Sequence, residues 1–179
     1  MELLTNGMGL SVVVFFPLIS AFIITLIPKA QEQLIKRFAL VSSLITFVLS
    51  AVLLFQFDFS SADKLQLGNK ISWIKSINAN YEIGIDGISL PLLVLSTFIT
   101  VLAIIYSIEH LPEPKSPKGF LALILVLETG MNGTFVALDL ILFFVFFEIV
   151  LLPMYFMIGI WGDKTCLLYT SDAADDNTC

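Results

Sequence analysis

Charged residues are scarce in this chain: Asp, Glu, Lys and Arg make up 13% of its 179 residues, whereas 58% are hydrophobic. This composition excludes an ordinary soluble domain, in which about a quarter of the residues are charged. Acidic residues outnumber basic ones, 15 to 9, which gives no support to a nucleic-acid partner. The sequence therefore predicts an integral membrane protein whose main partner is the lipid bilayer.

Cysteine and histidine are almost absent as well. Cys166 and Cys179 lie in or beside the C-terminal tail, so they offer neither a disulfide framework nor metal-ligand spacing. His110 stands beside Glu109 in a polar turn, and we interpret it as a solvated helix end. We predict no metal and no cofactor on this chain. The first eight residues contain Glu2 but no Lys or Arg, so the basic segment of a signal peptide is missing and the first span should be retained.

Five apolar runs are each long enough, at 1.5 Å per residue, to cross most of a bilayer core of about 30 Å. They predict an all-α membrane protein in which residues 1–164 form one transmembrane helical domain. Pro17 would kink the first helix, which points to a packed bundle that satisfies the freed carbonyl. The predicted spans are about 9–27, 38–55, 89–108, 119–137 and 139–161.

The polar segment 56–84 separates the second span from the third. It predicts an extramembrane loop that is long enough to carry structure of its own. Trp73 and Tyr81 in this loop are candidate anchors at the membrane interface.

Two polar residues mark the starts of helices. Ser89 is predicted to cap the third helix, which places Pro91 in the first turn, where its missing N–H costs nothing. Asp139 stands at the head of the fifth helix, where a carboxylate is most simply an N-cap that also favours the helix dipole.

Lys and Arg are distributed unevenly between alternate connections, and this predicts the orientation. Six basic residues fall on one side and three, in a much longer loop, on the other. The six-charge side should face the cytoplasm, so that the N-terminus, the loop 56–84 and the fourth-to-fifth turn face outward. The six are Lys29, Lys36, Arg37, Lys115, Lys118 and Lys164, and the three are Lys64, Lys70 and Lys75.

The fifth run contains one carboxylate, Glu148, near the middle of an otherwise apolar stretch. A charged group at this depth costs at least about 2.5 kcal/mol and marks a proton or ion path, a buried pair or a water-filled cavity. Pro153 has no N–H and displaces the carbonyl of Ile149, so a free carbonyl is expected beside the carboxylate. The alternative for Pro153 is a simple packing kink. We predict Glu148 as the proton-transfer residue, with Pro153 shaping its site.

Glu128 lies about midway along the fourth run. Antiparallel pairing with the fifth run brings it to the depth of Glu148, roughly 13 Å from the outer turn. Two acids at one depth suggest a proton relay. The alternative is that Glu128 only hydrogen-bonds Asn132 or a neighbouring helix, with Gly130 and Gly133 permitting close packing.

Four segments carry a family resemblance. They are Val12-Val-Val-Phe-Phe-Pro17-Leu-Ile, Gly84-Ile-Asp86-Gly87-Ile-Ser89, Phe135-Val-Ala-Leu-Asp139-Leu and Phe147-Glu148-Ile-Val-Leu-Leu-Pro153-Met-Tyr155-Phe-Met-Ile-Gly159-Ile-Trp161-Gly162. Together, and above all the last, they resemble the antiporter-like subunit M family of the proton-pumping NADH:quinone oxidoreductase, respiratory complex I, whose mitochondrial members are chain 4 of NADH dehydrogenase. The similarity extends from about Met8 to Lys164.

The resemblance implies that these five helices belong to a larger antiporter-like bundle. In that bundle an intramembrane glutamate, matched by Glu148, pairs with a lysine on a later helix and takes part in proton translocation driven by redox chemistry elsewhere. NADH, FMN, the iron–sulfur clusters and quinone would belong to other subunits of the complex. The implied partners are the other membrane-arm subunits, and the implied location is the bacterial inner membrane, crossed several times.

The chain departs from this family after Lys164. Residues 165–179 are polar and acidic with no apolar run, and we interpret them as a disordered, non-native tail of translated sequencing adapter. The chain would then be an N-terminal fragment without the partner lysine. Two alternatives stay open for its function. One is an antiporter-like subunit of a cation/proton antiporter or membrane-bound hydrogenase, and the other is a membrane scaffold in which Glu148 is a buried hydrogen-bonding group.

Overall fold

The computed structural model describes residues 8–77, 79–111 and 117–162. Within them it contains five helices long and apolar enough to cross a membrane, which confirms the predicted all-α membrane class. The helices are α1 (Met8–Leu26), α2 (Glu32–Gln56), α3 (Ser89–Glu109), α4 (Pro117–Val136) and α5 (Leu140–Trp161). Outside the described residues lie Glu2, Lys115, Lys164, Cys166, Cys179 and the tail 165–179.

The loop between α2 and α3 folds into an antiparallel β-hairpin made of β1 (Gln66–Ile74) and β2 (Ala79–Ile85). The hairpin is tied to the α4–α5 turn, because the N–H of Leu138 donates to the carbonyl of Glu82 at 2.9 Å. It thereby sits over one end of the helices. Short 3-10 helices flank and connect the strands at Phe59–Ser61 and Lys75–Ile77.

The two predicted interface anchors have different surroundings. Tyr81 is half-buried, and its hydroxyl lies 2.9 Å from the hydroxyl of Ser11 on α1. Burial raises the pKa of Tyr81 despite that hydrogen bond. Trp73 is 52% exposed on β1. The anchoring role stays a prediction for both.

The ends of the helices define two sides of the bundle. The hairpin, the start of α1 and the α4–α5 turn share one side, which we call the hairpin side. On the opposite side the ammonium of Lys118 donates to the carbonyl of Ile27 at 2.7 Å, and that of Lys36 donates to the carbonyl of Ile108 at 3.2 Å. These positive charges lie at the C-terminal ends of α1 and α3, where the helix dipole favours them.

Asp139 caps α5 as predicted. One carboxylate oxygen accepts the N–H groups of Ile141 and Leu142 at 2.9 and 3.2 Å. The other oxygen accepts the N–H of Asn80 on β2 at 3.0 Å. The hydrogen bond from Asn80 is the main cause that lowers the pKa of Asp139. The same side chain thus starts α5 and fastens it to the hairpin.

The prediction that Ser89 caps α3 is wrong. The carboxylate of Asp86 accepts the N–H groups of Ile88 and Ser89 at 3.0 and 2.7 Å, while the Ser89 hydroxyl accepts the N–H of Asp86 at 2.9 Å. This is a reciprocal box, in which the upstream acid receives the helix donors and the serine satisfies the acid's own N–H. The N–H groups of Ser89 and Ile88 accordingly lower the pKa of Asp86.

Two apolar clusters fill the two ends of the bundle. The hairpin-side cluster consists of Leu10, Val13, Val14, Leu53, Phe57, Ile83, Ile85, Leu90, Leu93, Val136, Leu142 and Phe146. The opposite-side cluster consists of Ala21, Ile24, Ile35, Ala39, Ile104, Phe120, Leu121, Ala122, Ile124 and Leu125. Each cluster draws on α1, α2, α3 and α4, so these four helices surround a common interior.

Candidate functional site

A layer of buried polar side chains lies between the two apolar clusters. On α4, Leu125 belongs to the opposite-side cluster and Val136 to the hairpin-side cluster, and the buried Glu128 and Asn132 fall between them. The same order holds on α1, α2 and α3. We call this set the polar layer; it consists of Ser20, Ser42, Ser43, Thr46, Ser50, Ser96, Thr97, Thr100, Glu128, Thr129 and Asn132.

Most hydroxyl groups of the polar layer donate to a backbone carbonyl of their own helix. Thr46 donates to the carbonyl of Ser42, and Thr100 donates to the carbonyl of Ser96. One hydrogen bond links two helices, since the hydroxyls of Ser50 on α2 and Thr97 on α3 lie 2.8 Å apart. A hydroxyl that donates in this way keeps free lone pairs, so the layer presents acceptors to its interior.

Glu128 and Asn132 are buried side chains whose polar atoms the fold leaves wholly unsatisfied. Both are 0% exposed and lie four residues apart, on one face of α4. Neither carboxyl oxygen of Glu128 and neither amide atom of Asn132 has a hydrogen-bond partner among the described residues. The predicted alternative of a Glu128–Asn132 hydrogen bond is therefore not formed. The hydroxyls of Ser42 and Ser96 are unpartnered in the same way.

The energetic cost of this arrangement is large. An unpartnered buried polar atom costs about 1–3 kcal/mol, so six of them would cost roughly 6–18 kcal/mol. That range is comparable to the whole stability of a domain, about 5–15 kcal/mol. The polar layer therefore requires partners other than the described side chains, or a proton on Glu128.

α5 packs against the face of α4 that lies opposite Glu128. A Cβ atom at Gly130 would lie 2.7 Å from Cγ2 and 2.8 Å from the backbone nitrogen of Val150, and one at Gly133 would overlap the ring of Phe146. This confirms the close packing expected of the two glycines. At about 100° per residue, Gly130 lies roughly 200° around α4 from Glu128. Glu128 thus points away from α5, into the interior shared by α1, α2, α3 and α4.

Glu148 has the reverse setting, because its side chain is exposed on the surface of the described bundle. It lies roughly 200° around α5 from Phe146, which packs against α4. It borders a groove of about 470 Å³ that also includes Ile149 and Pro153. Pro153 is buried, and α5 is assigned as one helix through it. The other residues lining the groove are Val126, Ile141, Phe144, Val145 and Leu152.

The two carboxylates share a depth but not a direction. Glu128 lies eight residues before the end of α4, and Glu148 lies eight residues after the start of α5. The seam formed by Gly130 and Gly133 runs between them. Direct proton transfer from one to the other would have to cross two packed helices.

The hydroxyl residues of α2 and α3 were not predicted from the sequence to be part of the site. Ser42, Thr46 and Ser50 recur every four residues along the apolar run of α2, and Ser96 and Thr100 repeat the spacing on α3. That spacing places them on one helix face, so the stripe was the available signal.

Among residues 8–77, 79–111 and 117–162, no three His, Cys, Asp or Glu residues form a group that could hold a metal ion.

Five long apolar helices define the class of protein, a multi-pass membrane protein. The model of the family described as NADH-ubiquinone oxidoreductase chain 4, amino terminus, matches residues 12–134. The chain therefore belongs to the NADH-ubiquinone oxidoreductase chain 4 family. The matched region includes Glu128 and ends before Glu148.

Individual relatives agree with this assignment. The chain is 36% identical over 156 residues to NAD(P)H-quinone oxidoreductase chain 4 of Prochlorococcus marinus (strain NATL2A). The aligned region covers 87% of the chain and 28% of the relative. The chain is 39% identical to NADH-ubiquinone oxidoreductase chain 4 of Arabidopsis thaliana, covering 87% of the chain and 31% of the relative. The chain thus spans about three-tenths of the length of these curated relatives.

Proposed function

We propose that this chain is the N-terminal five-helix part of a proton-translocating membrane subunit of NADH:quinone oxidoreductase, and that Glu148 carries the proton. The observation that carries the proposal is the outward direction of Glu148 on a span whose surface is otherwise apolar. A carboxylate facing lipid at this depth would be costly. A polar partner must therefore cover it, and the longer relatives have room for one.

The chemistry of such a pair is a proton switch. A cation close to a carboxylate favours its charged form, and withdrawal of the cation favours uptake of a proton. We take the partner to be a lysine on a later helix, as the family resemblance implies. Pro153 adds to the site, because it cannot donate to the carbonyl of Ile149, and all three residues line the same groove.

Glu128 acts in this proposal as a separate proton-holding station. Its burial in the polar layer, behind the seam of Gly130 and Gly133, separates it from Glu148. A relay between the two acids would run through other polar groups or water. Glu128 would then hold a proton in the interior of the first four helices. Glu148 would hold one at the surface that contacts the rest of the protein.

The remaining parts of the proposal concern the assembly. NADH, FMN, iron–sulfur clusters and quinone are placed on other subunits, and the neighbours of this chain are other membrane-arm subunits. We propose the bacterial inner membrane as the location, with the hairpin side outward, because the basic residues Lys36 and Lys118 lie on the opposite side. A fusion-reporter map that placed residues 56–84 in the cytoplasm would overturn this orientation.

Replacement of Glu148 by Gln in the full-length subunit tests the function. Glu148→Gln should abolish redox-driven proton pumping in membrane vesicles, because the amide cannot exchange a proton, while the complex still assembles on native gels. Glu148→Asp should be milder. The matched control is Glu32→Gln in the first turn of α2, which should leave pumping unchanged. Full pumping by Glu148→Gln would contradict the assignment and favour the scaffold alternative.

A further inference from the structure

We propose that the interior shared by α1, α2, α3 and α4 is a binding site for internal water, held by Glu128 and Asn132 in the polar layer. The site is distinct from Glu148, since the two acids lie on opposite sides of the α4–α5 seam. The proposal does not depend on the proton-pumping function, because it rests on unsatisfied buried atoms alone.

The unsatisfied atoms are the hydrogen-bonding groups that water can use. Glu128 and Asn132 contribute two side-chain atoms each, and Ser42 and Ser96 one each, none of them partnered within the described part of the chain. A buried water makes about three hydrogen bonds, so these six atoms match about two waters.

The chemical mixture in the layer suits water. Asn132 offers both a donor and an acceptor, Glu128 offers acceptors, and hydroxyls that donate to backbone carbonyls, such as that of Thr100, keep lone pairs. Water can donate and accept at once, so it satisfies all of these groups together. A Ca²⁺ ion would instead require six to eight oxygen ligands rich in carboxylates, and the layer holds one acid.

The two apolar clusters close the site. Leu121 and Leu125 on one side and Val136 on the other are 0% exposed and lie along the same face of α4 as Glu128. Water between them is shielded from bulk solvent on both sides of the membrane. We therefore expect bound, slowly exchanging water rather than an open channel.

Radiolytic labelling of the full-length subunit in its complex tests this inference. X-rays split water in place, so a side chain beside bound water is oxidised even when it is buried. In H₂¹⁸O without NADH, Leu125 should take up at least about threefold more ¹⁸O than Leu10, because Leu125 is one helical turn from Glu128. Both leucines are 0% exposed, and Leu10 lies in the hairpin-side cluster. Equal labelling of the two would overturn the proposal.

Two variants sharpen the test. Asn132→Leu should reduce labelling of Leu125 toward that of Leu10, because the amide that holds the water is lost. Ser107→Ala is the control: Ser107 is buried outside the polar layer, and its hydroxyl donates to the carbonyl of Ala103 at 2.6 Å, so labelling of Leu125 should not change. An unchanged signal in Asn132→Leu would count against the site. Since no turnover is required, the result stands whether or not Glu148→Gln abolishes pumping.

Discussion

α4 and α5 are adjacent helices that each carry one carboxylate at the same depth, yet they differ sharply in burial. Twelve of the twenty residues of α4 are buried, against three of the twenty-two residues of α5. α4 packs against the other four helices, whereas α5 packs mainly against α4 and β2. The comparison shows that an intramembrane acid cannot be interpreted from its helix alone, because the packing around the helix decides what the acid meets.

Each acid therefore poses a different physical problem. Glu128 has its surroundings within the described bundle, and those surroundings leave it unsatisfied. Glu148 lies on the outer surface of the bundle, beside a groove lined by apolar side chains. Glu128 requires a small polar partner inside the bundle, and Glu148 requires a further protein surface to cover it.

The largest expected difference is chemical accessibility. In this chain reconstituted into lipid vesicles, a membrane-permeant carbodiimide should modify Glu148 readily and leave Glu128 unmodified, because only Glu148 is exposed. Peptide mass spectrometry would measure the two yields. In the full-length subunit the yield at Glu148 should fall as the partner helices cover it. Equal modification of both acids in this chain would contradict the difference in exposure between Glu128 and Glu148.

The close contact between the two helices comes next. Gly130→Ala should destabilise the protein by about 1–3 kcal/mol, since the added methyl group meets the backbone of Val150 and α5 must shift. Thermal unfolding in detergent would measure the loss. Gly159→Ala is the matched control in α5, where nothing lies within 4 Å of the new methyl group, and its melting temperature should equal or exceed that of the wild type because Ala favours the helix. A loss as large in Gly159→Ala would show that the seam is not the cause.

A smaller effect is expected at the hairpin attachment of α5. Asp139→Ala removes the helix cap and the acceptor for Asn80, and should lower the melting temperature by a few degrees. Because folding lowers the pKa of Asp139, its stabilisation is present above the unfolded pKa and is lost as the pH falls through the folded value. The difference from wild type should therefore be constant between about pH 8 and pH 5 and shrink below about pH 4. A difference that grew under acid conditions would contradict this.

The sequence predicted the elements with strong local signals. Apolar length predicted the five helices, and the placement of Asp139 before an apolar run predicted the cap of α5. The β-hairpin was not predicted, because its register depends on contacts between β1 and β2 and with the α4–α5 turn. The cap of α3 was assigned to the wrong residue, since two candidates three residues apart, Asp86 and Ser89, exchange hydrogen bonds.

The candidate site was predictable in part. The depth of Glu128 and Glu148 follows from counting residues along two antiparallel helices. Their directions do not, because the face of α4 that meets α5 is chosen by Gly130 and Gly133 together with side chains of the partner helix. The polar layer was missed since serine and threonine are unremarkable in an apolar helix until four such helices are brought together.

Only Ala137, Leu138 and Asp139 separate α4 from α5. α4 is the least apolar of the five spans and carries Glu128 and Asn132, so on its own it is the weakest substrate for partitioning into lipid. We expect a connection of three residues to make the two helices enter the hydrocarbon as one unit during biogenesis. The phenylalanine-rich α5 thus supplies the hydrophobic drive for inserting a helix whose polar side chains the fold later buries.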